Sequence, residues 1–172
     1  VVVMNIFVLD NDPVVAASYM DCQRVPKMVV ESVQMMACAV IRHGATPDQM
    51  PLTSKGTPHK GGYHHHPCSR WAGDNRANYL WLTKHAIALC NEYNKRFGKQ
   101  HACYKAIVQL GLMRNMIPDG CMTPFALAMP DEFKSDDAVQ SYRDYYQSKD
   151  NVHYRHSEQP AWWGLPNLWA LA

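Results

Sequence analysis

The chain has 172 residues, of which 47% are hydrophobic and 19% charged, and its formal net charge is +2. These proportions exclude a disordered chain, and the length fits one domain, since two would each be short of core. The weak positive balance excludes no partner class, because a local basic patch is enough to bind nucleic acid with salt-sensitive affinity.

The opening "VVVMNIFVL" is too short for a signal segment and lacks its basic flank. No apolar run reaches the length of about 18 residues that a membrane span needs, so no membrane association is expected. Met4 reads as the natural start, with Val1 to Val3 an upstream extension. "MNIFVL" is predicted to be a short buried extended segment. "DNDPVVAASYM" carries a helix start, with Asp12 as cap and Pro13 at the first helical position. A second helix follows in "DCQRVPKMVVESVQMMACAVIRHG", with Pro26 in its first turn and Gly44 as its stop. Val29, Val33, Met36 and Val40 form its core face, and Lys27, Glu31, Gln34 and Cys38 form a second stripe.

From Ala45 to Tyr63 the composition turns to Pro, Gly, Thr, Ser and Lys. A loop of about twenty residues is long for a compact domain and points to function or mobility. "HPCSRWAGDNRANYLWLTKHAIALCNEYNKRFG" is predicted helical. Pro67 opens its first helix; Leu82, Ala86, Leu89 and Tyr93 line one face of the second, and Gly98 ends it. "QHACYKAIVQLGLM" is another helix, "TPFALAMP" a short apolar turn or helix, and "SDDAVQSYRDYYQSK" a helix capped by Ser135. The tail, 148–172, is rich in Trp and Pro and is expected to wrap back onto the body. The six cysteines, Cys22, Cys38, Cys68, Cys90, Cys103 and Cys121, form no C-x-x-C pair and read as reduced and mostly buried, in an intracellular (cytoplasmic) protein.

Three constellations carry candidate chemistry. In "GYHHHPCSRW" (62–71), His64 and Cys68 stand one helical turn apart. Zinc needs more ligands than this stretch supplies, so no metal is expected and zinc stays the lesser alternative. His66, before Pro67, sits at a helix N-cap, where partial positive charge attracts phosphate. In "QRVPKMVVE", Lys27 lies at a helix start beside Arg24, a setting suited to an amine nucleophile, and Glu31 shares its face one turn on. The plain alternative is a surface Lys–Glu pair. Late in the chain, Tyr142, Arg143, Tyr145, Tyr146, Lys149, Tyr154, Arg155, Trp162 and Trp163 mix cations with rings. Such a set suits phosphate binding and base stacking, although rings at helical spacing also suit a core. No Walker loop, dinucleotide fingerprint, H-E-x-x-H or G-x-S-x-G motif occurs, and no cofactor is expected.

The stretch from "MNIFVLDNDP" to "ESVQMM", then "HPCSRWAGDNRANYLWLTKHAIALCNEYNKRFG" and a late "PAWW", resembles a family of phage and bacterial proteins labelled as pyrimidine-dimer DNA glycosylases. A more distant resemblance is to endonuclease V of the T-even phages, an all-α glycosylase and abasic-site lyase. The resemblance implies a nucleophilic amine at the mature N-terminus and a glutamate on the following helix. The matching terminal residue here is Asn5, after loss of Met4. The position nearest the glutamate is Arg24, with Glu31 a substitute one or two turns later.

These readings combine into a mainly α, single-domain, bundle-like fold with a short N-terminal extended segment and a long loop. The expected partner is DNA, and the expected activity is that of a glycosylase or lyase on a damaged or modified pyrimidine. Lys27 is the expected amine nucleophile or phosphate ligand, and Glu31 the acid or cation stabiliser. Arg24, His66, Arg70 and Arg143 are expected to grip phosphate, with Trp71 or Tyr146 stacking on a flipped base. The alternatives are a transferase that modifies phage DNA bases and a non-enzymatic DNA-binding or virion-associated protein.

Overall fold

A computed structural model describes residues 4–165; the predicted extension Val1 to Val3 and the end of the predicted tail, 166–172, lie outside the described residues. Helix α1, Pro13–Ser18, starts where expected: Asp12 Oδ1 accepts the N–H groups of Val14 (2.8 Å) and Val15 (3.2 Å), and Pro13 supplies a helical φ. Helix α2, Arg24–Arg42, buries Val29, Val33, Met36 and Val40. Helix α3, Pro67–Asp74, is capped by His66, whose Nδ1 accepts the Cys68 N–H at 3.1 Å. Helix α4, Arg76–Phe97, is capped by Asn75 and ends at Gly98, whose φ of +70° is the left-handed geometry glycine adopts freely. Helices α5, Tyr104–Leu112, and α6, Ala138–Gln147, complete the set. Among the described residues there is no strand beyond one isolated bridge, so the fold is mainly α in a single domain. No described helix is long and apolar enough to cross a membrane.

Helix α2 packs on α3, α4 and α5, and α1 packs on α4. Into the centre of this bundle runs the extended segment 4–9, with Met4, Asn5, Ile6, Phe7, Val8 and Leu9 all buried. Two local expectations change. The cap of α6 is Asp137, whose Oδ1 accepts the Gln140 N–H at 3.0 Å, and Ser135 instead bonds to Asp137 from outside the helix. "TPFALAMP" forms no helix; it runs as an extended strap held by side chains. Asn78 Oδ1 accepts the Thr123 N–H (3.0 Å), the Tyr142 hydroxyl donates to Ala126 O (2.5 Å) and accepts from the Ala128 N–H (3.2 Å), and Asn5 Nδ2 donates to Ala128 O (2.8 Å). These bonds satisfy backbone groups that a helix would have satisfied internally.

The chain between α2 and α3 folds into a hairpin-like turn at Leu52 and Pro58 and then presses against α2. Cys38 Sγ lies 3.3 Å from both the N and the O of Gly62. A Cβ on Gly61 would come within 2.6 Å of that sulfur, and the φ of Gly61 is +70°, so the close approach requires glycine there. The late segment binds the start of the chain and the end of α6. Cys22 N–H donates to His153 O (2.9 Å), Tyr154 OH to Tyr19 O (2.8 Å), and Gly164 N–H to Gln147 Oε1 (2.9 Å).

His85 on α4 is wholly buried, stacked on Trp81 at 5.1 Å, with Nδ1 2.9 Å from Pro13 O. Burial pushes its pKa down to about 4. The unfolded chain takes up this proton below its ordinary value of ~6.5, while the folded protein refuses it. The contribution of His85 to stability is therefore complete above pH ~6.5 and falls as pH drops towards 4, a loss of about 3 kcal/mol across that window. Urea midpoints measured between pH 7.5 and 4 check this: the wild-type midpoint should fall with acid, and the profile of His85→Asn should be flatter over the same range.

Candidate active site

The site begins with a backbone turn. Asn5 Oδ1 accepts the N–H groups of Ile6 (2.8 Å) and Phe7 (2.9 Å), an Asx-type closure that lets Phe7 adopt a φ of +54°. A left-handed, non-glycine residue stores about 1–3 kcal/mol of strain that the surroundings must offset. The ring of Phe7 supplies part of that offset by packing among Tyr142, Tyr145 and Tyr146 at 5.4–6.5 Å. The turn leaves the Asn5 N–H pointing at α2, where it donates to Glu31 Oε1 at 3.0 Å.

Glu31 is only 8% exposed, and its second oxygen, Oε2, is buried without a hydrogen-bond partner. Desolvation raises its pKa above the usual carboxylate value, opposed by the charge of Lys27, the Asn5 N–H and the charge of Lys149. A buried carboxylate with one oxygen engaged and the other unpartnered is costly as structure alone, and such perturbed groups concentrate where chemistry is done. Lys27 lies exposed on α2 one turn before Glu31. Lys149 follows the end of α6; its Nζ stands 4.2 Å from the Tyr145 ring centroid, 5.3 Å from that of Phe7, and 3.1 Å from the Tyr145 hydroxyl. Glu31 thus contacts the Asn5 backbone nitrogen and feels the charge of two lysines, one a turn earlier on α2 and one beyond α6.

The remaining predicted residues are dispersed. Arg24 lies 3.2 Å from the buried carboxylate of Asp21, 3.4 Å from Asp150 O, and over the ring of Tyr146 at 5.4 Å. His66 caps α3 with Nδ1, and partial burial lowers its pKa. Arg70 is exposed on α3. Trp71 is 3% exposed, donates Nε1 to Thr123 O at 3.2 Å and packs on Trp81 and Phe125. Tyr146 is fully buried and bonds to Asp21. Neither ring has a face open for stacking. Arg143 binds Leu9 O (2.9 Å) and Asp10 (3.3 Å), with its guanidinium over Trp162 at 5.1 Å. His64 is exposed, with Nε2 2.9 Å from Lys60 O, whereas Cys68 is fully buried with its pKa pushed up to about 12. Among the described residues, no three His, Cys, Asp or Glu side chains are grouped to hold a metal ion.

Sequence reasoning missed two parts of this arrangement. Lys149 was counted with the late aromatic and basic group and not joined to Glu31, and no local pattern links residues so far apart. Asp21, the buried partner of Arg24, had a signal in its spacing of three residues ahead of that arginine.

Comparison with curated proteins and with solved structures finds no match. Comparison with protein families matches residues 4–105, more than half of the chain, to the family described as pyrimidine dimer DNA glycosylase. The matched region contains Asn5, Lys27 and Glu31, and it stops before α6 and Lys149. With Glu31 set against the backbone nitrogen of Asn5 and the match spanning both, the chain belongs to the pyrimidine dimer DNA glycosylase family.

Proposed function

We propose that this protein is a DNA glycosylase with abasic-site lyase activity on damaged pyrimidines, acting through an amine held beside Glu31. The observation that supports this reading best is the 3.0 Å approach of the Asn5 nitrogen to Glu31 Oε1, with Oε2 unpartnered. In a chain processed ahead of Asn5, that nitrogen is a free α-amine, which deprotonates near pH ~8 and is a competent nucleophile close to neutrality. Its lone pair attacks C1′ of the target nucleotide, the N-glycosidic bond breaks, and the departing base takes a proton. The amine gives up a proton, the C1′–O4′ bond breaks with O4′ taking a proton from solvent, and the opened sugar is left as an iminium beside the Glu31 carboxylate, which stabilises the positive charge. Loss of the C2′ proton then expels the 3′ phosphate by β-elimination and cuts the strand.

A second reading keeps Lys27 as the nucleophile. It rests on the exposure of that amine one turn from Glu31 and on the charge it places on the same carboxylate, and it needs no processing. Both readings predict incision of ultraviolet-irradiated duplex DNA and of duplex carrying an abasic site, with unirradiated duplex left intact. Binding of all three DNAs with no incision of any would move the protein to the non-enzymatic class.

A further inference from the structure

Between Gln49 and Gly73 the chain has no aspartate or glutamate, yet it carries Lys55, Lys60, Arg70 and four histidines. The first part of this stretch is a built hairpin. Thr53 N–H donates to Thr57 O (2.7 Å), Gly56 N–H to Thr53 O (2.9 Å), and His59 N–H to Pro51 O (2.9 Å). The Thr53 and Thr57 hydroxyls bond each other at 2.9 Å, and Met50 and Pro51 are buried at the base. The tip, Ser54, Lys55 and Gly56, stands in solvent, as does Lys60 on the returning arm. Just beyond Lys60, Gly61 and Gly62 lock the arm to Cys38 on α2.

The charge on this hairpin is left uncompensated. Elsewhere Arg24, Arg42, Arg76, Arg96, Lys134 and Arg143 each form an ion pair with Asp21, Asp74, Asp119, Glu92, Asp131 and Asp10. Among the described residues, Lys55 and Lys60 form none, as is also true of Lys27, Lys84, Lys95, Lys99, Lys105 and Lys149; the hairpin is set apart by having no acid in the stretch around it. Between the hairpin and α2 lies a cleft of about 440 Å³, bordered by Val30, Gln34, Thr53, Thr57, His59 and Lys60. Val30 and Gln34 sit on the stripe of α2 that carries Lys27 and Glu31, so the cleft and the candidate site share that helix.

We propose that the hairpin 51–60 is a clamp for the phosphate backbone of duplex DNA, with Lys55 and Lys60 as its contacts. It holds the strand against α2 while Glu31 faces the target nucleotide. A rigid arm with solvent-exposed, unpaired ammonium groups suits phosphate: each contact releases condensed counterions and costs no internal ion pair. The proposal rests on the DNA-directed reading above, and the following experiment separates the two.

The test uses a duplex carrying a tetrahydrofuran abasic analogue, which has no aldehyde to form a Schiff base. Affinity would be measured from 50 to 200 mM salt for the wild type, for Lys55→Gln/Lys60→Gln, and for a control pair, Lys95→Gln/Lys99→Gln, that removes equal charge near the end of α4. Loss of two phosphate contacts should flatten the slope of log affinity against log salt by about 2 in the hairpin variant alone. Melting curves would confirm that all three proteins are folded. A wild-type slope in the hairpin variant, or an equal flattening in the control, overturns the clamp and leaves the enzymatic reading standing. A wild type that shows no salt-dependent binding overturns both.

Discussion

Glu31→Gln is expected to lower incision of abasic and irradiated DNA by roughly a hundred- to ten-thousand-fold while the fold persists. Glutamine keeps the shape of the side chain, and its amide oxygen still accepts the Asn5 N–H. What disappears is the negative charge that faces the iminium in the proposed mechanism, and the exchangeable proton of the carboxyl. Stability should hold or rise, because the substitution removes a charge from a site where Oε2 is buried without a partner. Single-turnover incision and thermal melting measured together separate the two effects. A variant that cuts at the wild-type rate would remove Glu31 from the mechanism, and a variant that unfolds would make it a structural residue.

The largest stability loss is expected at Asp21. This fully buried carboxylate accepts the Tyr146 hydroxyl, the Arg24 guanidinium at 3.2 Å, and the N–H groups of Gln23 and His153, each at 3.3 Å. It joins the start of α2 to α6 and to the late segment. Asp21→Ala leaves Arg24 without its ion-pair partner and several donors unsatisfied, at a cost of about 3–5 kcal/mol. In a domain of this size that lowers the melting temperature by roughly 10 °C. The Tyr146 phenol, whose pKa is raised well above its usual value by burial and by the Asp21 charge, should titrate closer to the ordinary range in the variant. A melting temperature within a degree or two of wild type would show that the late segment docks without this carboxylate.

The helices were legible because their signals are local. Asp12 before Pro13, His66 before Pro67 and Gly98 after Phe97 each satisfy or end a helix through neighbours within four residues, and all three do so in the structure. The valine and methionine stripe of α2 was legible for the same reason. The site was legible only in part. Lys27 and Glu31 share a helix face by spacing, but the groups that complete the constellation are far apart in sequence. Asn5 lies 26 residues from Glu31 and 123 from Ala128, and Lys149 comes from beyond α6. Rings and cations were ambiguous in the sequence. Trp71 and Tyr146 read equally well as stacking platforms or core, and tertiary packing made them core. Arg143 is paired by Asp10, which the chain fold brings to it, whereas the partner of Arg24, Asp21, stands only three residues away and was open to reading.

The amine beside Glu31 is the central claim, and reductive trapping tests it most directly. The purified protein would be mixed with abasic duplex DNA and borohydride, and the cross-linked peptide would be mapped by mass spectrometry, with Glu31→Gln run in parallel. The account predicts a covalent adduct on the α-amine of a chain beginning at Asn5, strongly diminished in the variant. An adduct on Lys27 would transfer the nucleophile to that residue and keep Glu31 in place. Incision of abasic DNA with no adduct, or an adduct whose yield ignores Glu31, would contradict the account.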